Sequence, residues 1–140
     1  MKRIIMIAAA AMLISTVAMS GQANTINAQS VMCQGLVATI VGTSGNNVLQ
    51  GTPNDDVIHG LGGNDIIEGR GGNDVICGGD GADEIYGDGG DDSLNGGKGN
   101  DLLRGNNGRD TLNCGQGNDD RYNGGWGNDN INSNCENKVL

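Results

Sequence analysis

The chain has no phenylalanine, one tryptophan, two tyrosines and one histidine. With so few aromatics it cannot bury the apolar surface of an ordinary single core, and unaided it should be loose. One histidine, with cysteines far apart along the chain, argues against a closed zinc site. Basic residues are scarce as well: 8 Lys and Arg stand against 17 Asp and Glu, a net charge of −9. Without Lys2 and Arg3, six basic residues remain against 17 acidic ones, a balance of −11. Such a balance argues against nucleic acid and anionic membrane surfaces as partners, and it favours bound cations.

Glycine is abundant, at 27 of 140 residues, against about 7% in ordinary proteins. It recurs in phase. A nine-residue unit runs unbroken from Gly42 to Asn113 and, with one slip, on to Asn132. Its frame is Gly-Gly-x-Gly-x-Asp-x-apolar-x, as in Gly96-Gly97-Lys98-Gly99-Asn100-Asp101-Leu102-Leu103-Arg104. The sixth positions are Asn47, Asp56, Asp65, Asp74, Asp83, Asp92, Asp101, Asp110, Asp119 and, in the last unit, Asp129. The eighth positions are Leu49, Ile58, Ile67, Ile76, Ile85, Leu94, Leu103 and Leu112. The unit that starts at Cys114 holds one extra residue, and Tyr122 is expected to replace its aliphatic. A fixed short period means a stacked array.

Each position has a physical requirement. Glycines at one, two and four permit positive φ and tight turns. Positions seven to nine are short and β-prone, as in Val57-Ile58-His59, and alternation sends the eighth residue inward. A turn plus a short strand carries the chain through half a coil. Two units then complete a coil of 18 residues, with like strands stacked in parallel about 4.8 Å apart. The predicted fold class is therefore all-β, a parallel two-sheet solenoid with a thin aliphatic interior. Stacked turns would align aspartates at close range, where like charges repel. A cation between turns reverses the sign. Calcium takes six to eight hard oxygen ligands, carboxylate and carbonyl, whereas magnesium demands stricter geometry and keeps its water.

The nonapeptide resembles the RTX, or haemolysin-type calcium-binding, repeat over Gly42 to Asn132, in ten successive units. The resemblance implies a right-handed parallel β-roll in which turn carbonyls and paired aspartates bind Ca²⁺ between units two apart. Carried over, the metal ligands are Asp56, Asp65, Asp74, Asp83, Asp92, Asp101, Asp110, Asp119 and Asp129, which gives about seven ions. Sites near Asn47 and Asn54 are expected to be weaker, and the insertion near Arg121 is expected to damage one. The large apolar regions of RTX toxins have no counterpart. The chain is more similar to small stand-alone secreted repeat proteins, through Cys33-x-Gly-x-x-Ala-Thr-Ile-Val-Gly-Thr43 and Cys135-Glu136.

The organisation expected is a signal peptide over 1–23, a linker and cap over 24–41, the repeat roll over 42–132 and a C-terminal cap over 133–140. Met1-Lys2-Arg3 followed by the apolar run Ile4 to Met19 has the form of a secretory signal. The run is shorter than the roughly 20 residues that span a bilayer, so no membrane insertion is expected once it is removed. Four cysteines in a secreted chain imply two disulfides, with three possible pairings. On the coil, Cys114 and Cys135 stack on one edge, which favours their bond and leaves Cys33 with Cys77.

The remaining side chains have plainer readings. Asp80, Glu84, Asp88 and Asp91 lie outside the sixth position and read as a solvated face. His59 reads as a surface residue, and no nucleophile is placed beside it, so the protein is not expected to be an enzyme. Trp126 is expected to cover the open C-terminal edge. An apolar stripe at the seventh positions Val48, Val57, Ile66 and Val75 is expected to receive the cap or a second molecule. The function expected is a secreted calcium binder that folds on ion binding. The alternative is an adhesive or accessory module of a secreted or cell-surface system, with an unidentified protein or surface partner.

Overall fold

A computed structural model describes residues 30–139. The signal-peptide reading of residues 1–23 lies outside the described residues. Among the described residues all regular structure is β, in fourteen strands. β1 (Met32–Cys33) and β2 (Leu36–Val37) form an antiparallel hairpin. Twelve strands follow: β3 (Ile40–Val41), β4 (Val48–Gln50), β5 (Val57–Gly62), β6 (Ile66–Glu68), β7 (Val75–Asp80), β8 (Glu84–Gly89), β9 (Ser93–Lys98), β10 (Leu102–Asn107), β11 (Thr111–Asn113), β12 (Arg121–Trp126), β13 (Asn130–Ile131) and β14 (Asn137–Lys138).

Consecutive strands alternate between two parallel six-stranded sheets. Odd-numbered β3 to β13 form one, and even-numbered β4 to β14 form the other. Each strand pairs with the strand two ahead, so the rungs are related by the 18-residue coil: Ile58 pairs with Ile76, and Ile76 with Leu94. The chain is a β-roll of about six turns.

The eight aliphatics of the eighth position are all 1% exposed or less. They form one ladder between the sheets, with Ile40 at its N-terminal end. Tyr122, Ile131 and Cys135 pack against that core cluster. The expected substitution at Tyr122 holds, since it pairs with Leu103 in the eighth-position register. One inward side chain per nine residues is a thin core, and polar contacts between rungs must hold the rest.

Strands run further than positions seven to nine. Six of them continue through the next unit's first three residues, and Leu61 still pairs with Gly79. Leu61 has φ +77° and Gly79 +118°. The left-handed residue bends the chain while the turns stay in register, which is why glycine suits that position.

The N-terminal cap does bend back. Gln34 and Gly35 both take positive φ, the form required by a tight two-residue hairpin turn. The hairpin then lies across β5 and β7. Cys33 is bonded to Cys77, and the Gln34 side chain exchanges two hydrogen bonds with Ser93. The cap thus sits against the odd sheet that carries Val57 and Val75 of the apolar stripe, and these two are half-buried. Val48 and Ile66 lie on the other sheet and remain half-buried. At the far end Cys114 is bonded to Cys135. Trp126 does not cover that edge. It is 84% exposed, and β14 supplies the outer rung instead. The aromatic sits at a third position, which points out of the turn.

Candidate metal centre

The sixth-position residues stand in two columns, one on each edge of the roll. Asn47, Asp65, Asp83, Asp101 and Asp120 precede the even strands. Asp56, Asp74, Asp92, Asp110 and Asp129 precede the odd ones. Within a column each carboxylate from Asp65 onward leans back one coil. Its Oδ1 accepts the main-chain N–H of the sixth-position residue below, in eight bonds of 2.7 to 3.0 Å. A charged acceptor on a main-chain donor makes a strong hydrogen bond.

That leaves the second oxygen. Oδ2 of Asp65, Asp74, Asp83, Asp92, Asp101, Asp110 and Asp120 is buried and has no hydrogen-bond partner. Orphaned buried charge is costly unless it is paired or holds a metal. The glycines show what else faces these atoms. A β-carbon on Gly60 would land on Oδ2 of Asp65 and on the carbonyl oxygen of Gly78. Gly69 stands likewise to Asp74 and Gly87, Gly78 to Asp83 and Gly96, and Gly87 to Asp92 and Gly105. Gly96 faces Asp101 and the Cys114 carbonyl, and Gly105 faces Asp110 and the Gly124 carbonyl. In these six units a bare first-position glycine lets a carboxylate oxygen and a carbonyl oxygen converge between rungs.

Electrostatics agree with that geometry. Burial is the main cause that pushes Asp65 and Asp92 up to about 6, and Asp74 and Asp101 up to about 7. The N–H bond from the rung below opposes the rise, and neighbouring aspartates add to it. Asp83 and Asp110 are raised for the same first reason. These carboxyls resist ionisation unless positive charge arrives. Among the described residues no three His, Cys, Asp or Glu side chains converge on one point. A cation held here would draw carbonyl oxygens as well as carboxylates, the donor set of a hard ion.

Of the nine aspartates expected as ligands, Asp119 is displaced. Asp120 is the buried member of the column and accepts the N–H of Asp101, while Asp119 accepts from Asn137 at the surface. Up to Asn118 the coil keeps its 18-residue step (Asn118 N–H to Asn100), and from Asp120 it becomes 19. Asp119 is thus the inserted residue, which two adjacent aspartates concealed. Asp129 joins its column but is only half-buried. Asp56 is buried, yet its Oδ2 is taken by Thr52.

A third element has a visible sequence signal: Asn or Asp also recurs at the fifth position. These side chains lean forward, opposite to the sixth. Asn46 accepts from the N–H of Asn64, Asn64 from Ala82, and Asn73 from Asp91. Asp91 accepts from Arg109 in the same way and also pairs with its guanidinium at 3.4 Å, while staying on the solvated face expected for it. Asp80 likewise pairs with Lys98, at 2.9 Å.

A family model for the RTX calcium-binding nonapeptide repeat (four copies) matches residues 41–76, 50–85, 78–112, 86–120 and 103–131. No curated protein and no solved structure matches the chain.

Proposed function

Since the chain belongs to the RTX calcium-binding nonapeptide repeat family, we propose that it is a secreted protein whose roll orders when calcium binds between its turns. The observation that carries this is the set of seven buried carboxylate oxygens with no partner. Asp65, Asp74, Asp83, Asp92, Asp101, Asp110 and Asp120 would supply carboxylate oxygen. Carbonyls of Gly78, Gly87, Gly96, Gly105, Cys114 and Gly124 would supply the neighbouring donors. About seven ions is the stoichiometry proposed. Bound calcium offsets the negative charge that each column accumulates. The residues themselves position the oxygens, exclude water from them and tie rung to rung.

Two disulfides fit an oxidising compartment. Extracellular calcium modules commonly bind at about 10⁻⁴–10⁻³ M, so the chain would be loose inside the cell and ordered outside. We take the role to be binding rather than catalysis. The test is circular dichroism of the disulfide-bonded chain titrated with calcium and then with chelator. Strand signal and melting temperature should rise and then fall. Equal strand content and heat tolerance without metal would overturn the reading.

One observation favours a second reading, an adhesive or accessory module. The exposed Trp126 stands beside Arg70, Asp88, Asn106 and Asn123 along one shallow groove. Aromatic faces rimmed by planar polar groups stack on flat ligands. Loss of cell-surface retention in Trp126→Ala, with the calcium response unchanged, would support it. Unchanged retention would remove it.

A further inference from the structure

The first two turns are built unlike the others. In the eight units from Leu61 to Gly125 the second-position residue has positive φ, between 72° and 118°. Where its N–H meets a side chain, that side chain is the preceding ninth residue: Leu61 donates to His59 Nδ1, Gly115 to Asn113 Oδ1, and Gly125 to Asn123 Oδ1. The first two units carry threonine there. Thr43 and Thr52 are outside the left-handed region, which a β-branched residue rarely enters. Their N–H groups turn the other way. Thr43 donates to Asn47 Oδ1 and Thr52 to Asp56 Oδ2, both at 2.6 Å. The hydroxyls complete the closure: Thr52 Oγ1 donates to Asp56 Oδ2 at 2.9 Å, and Asn47 Nδ2 donates to Thr43 Oγ1 at 3.0 Å.

From this contrast we propose that the Asn47 and Asp56 positions are closed without an ion, and that the calcium row begins at Asp65. The inference rests on the calcium reading and refines it. The oxygen of Asp56 that matches the orphaned oxygen of the seven units from Asp65 to Asp120 already faces two donors. Two partial positive charges pointing at that oxygen occupy the direction a cation would need. Asn47 makes the same closure with no charge at all, so the arrangement does not require one. Residue type at position two therefore switches a unit between a metal site and a self-satisfied turn. The result is a first coil ordered independently of calcium, next to the Cys33–Cys77 bond that holds the hairpin down. It would serve as the edge on which later, ion-dependent rungs stack.

The test is an ion count by native mass spectrometry on the calcium-loaded, disulfide-bonded chain. Asp56→Asn should bind as many ions as the parent, whereas Asp74→Asn should bind fewer. Thr52→Gly releases the left-handed conformation and should add one ion, and Thr52→Gly with Asp56→Asn should return to the parental count. A lost ion in Asp56→Asn, or no added ion in a folded Thr52→Gly, overturns the inference and leaves the calcium reading intact. If Thr52→Gly does not fold, the comparison of Asp56→Asn with Asp74→Asn decides alone. A parent chain that takes up no calcium overturns the functional reading itself.

Discussion

The main-chain N–H of Asp74 donates to Oδ1 of Asp92 across 2.8 Å, one coil apart, while Oδ2 of Asp92 is buried without a partner. One carboxylate thus has two tasks. The first oxygen joins rungs and needs no metal. The second carries charge that the fold leaves unbalanced.

Asp92→Asn and Asp92→Ala separate those tasks. Asparagine keeps an acceptor for the Asp74 N–H but loses the charge. In chelator it should melt at or above the parent, and in calcium below it. Alanine strands that N–H and should cost about 1–3 kcal/mol even in chelator. Thermal melts of both variants, with and without calcium, check the crossing of signs.

The pH dependence should also change sign with the metal. In the metal-free roll Asp65, Asp74, Asp92 and Asp101 have carboxyls raised to about 6 or 7, above an unfolded value of about 4. A raised acid stabilises the fold fully below the unfolded value, and that contribution is lost as pH rises through the folded one. Metal-free stability should therefore fall between about pH 4 and pH 7. Calcium requires ionised ligands, so the loaded form should lose stability on acidification instead. Melting temperatures across this range, in chelator and in calcium, should show opposite slopes.

Gly78→Ala should be among the most damaging single changes, because its new β-carbon would collide with Asp83 Oδ2 and the Gly96 carbonyl. Gly45→Ala meets no atom within 4 Å and should be nearly neutral. A difference of about 2 kcal/mol or more between them in denaturant melts is expected, since surface changes usually stay within about 0.5 kcal/mol. Equal melts would remove the argument for a crowded first position.

Asp119→Ala changes only the surface residue that accepts from Asn137 and should leave the calcium response close to the parent's. Asp120→Ala should weaken it and destabilise the C-terminal turns, because Asp120 holds the N–H of Asp101. Calcium titration followed by dichroism distinguishes the two. If Asp119→Ala were the more harmful change, the assignment of the inserted residue would be wrong.

Removing each disulfide should cost about 2–5 kcal/mol. The Cys33–Cys77 bond closes 44 residues and the Cys114–Cys135 bond 21. Loop entropy alone makes the first worth about 0.7 kcal/mol more. Paired Cys→Ser variants compared in urea measure the difference.

Much of this was legible in the letters, for a reason specific to solenoids. Every rung meets a copy of its own environment, so a local period already describes long-range contact. Ile58, Ile76 and Leu94 share a phase, and that phase alone places them in one ladder. Glycine and aspartate at fixed offsets likewise announce stacked turns and repeated carboxylates, and a nine-residue frame carries the family.

Phase fails where two residues compete for one place or where dihedral angle matters. Asp119 and Asp120 are the same letter, and only the hydrogen bond to Asp101 tells which one enters the column. Thr52 and Gly115 hold the same place in the frame, but steric limits on φ turn their N–H groups in different directions. The hairpin's seat across β5 and β7, and the outward turn of Trp126, depend on surfaces assembled from several coils. Composition and period thus dictate the rungs and their spacing, because those follow from short-range chemistry repeated. Which oxygen is left bare, and which turn closes on itself, emerge only when rungs 18 residues apart meet in space.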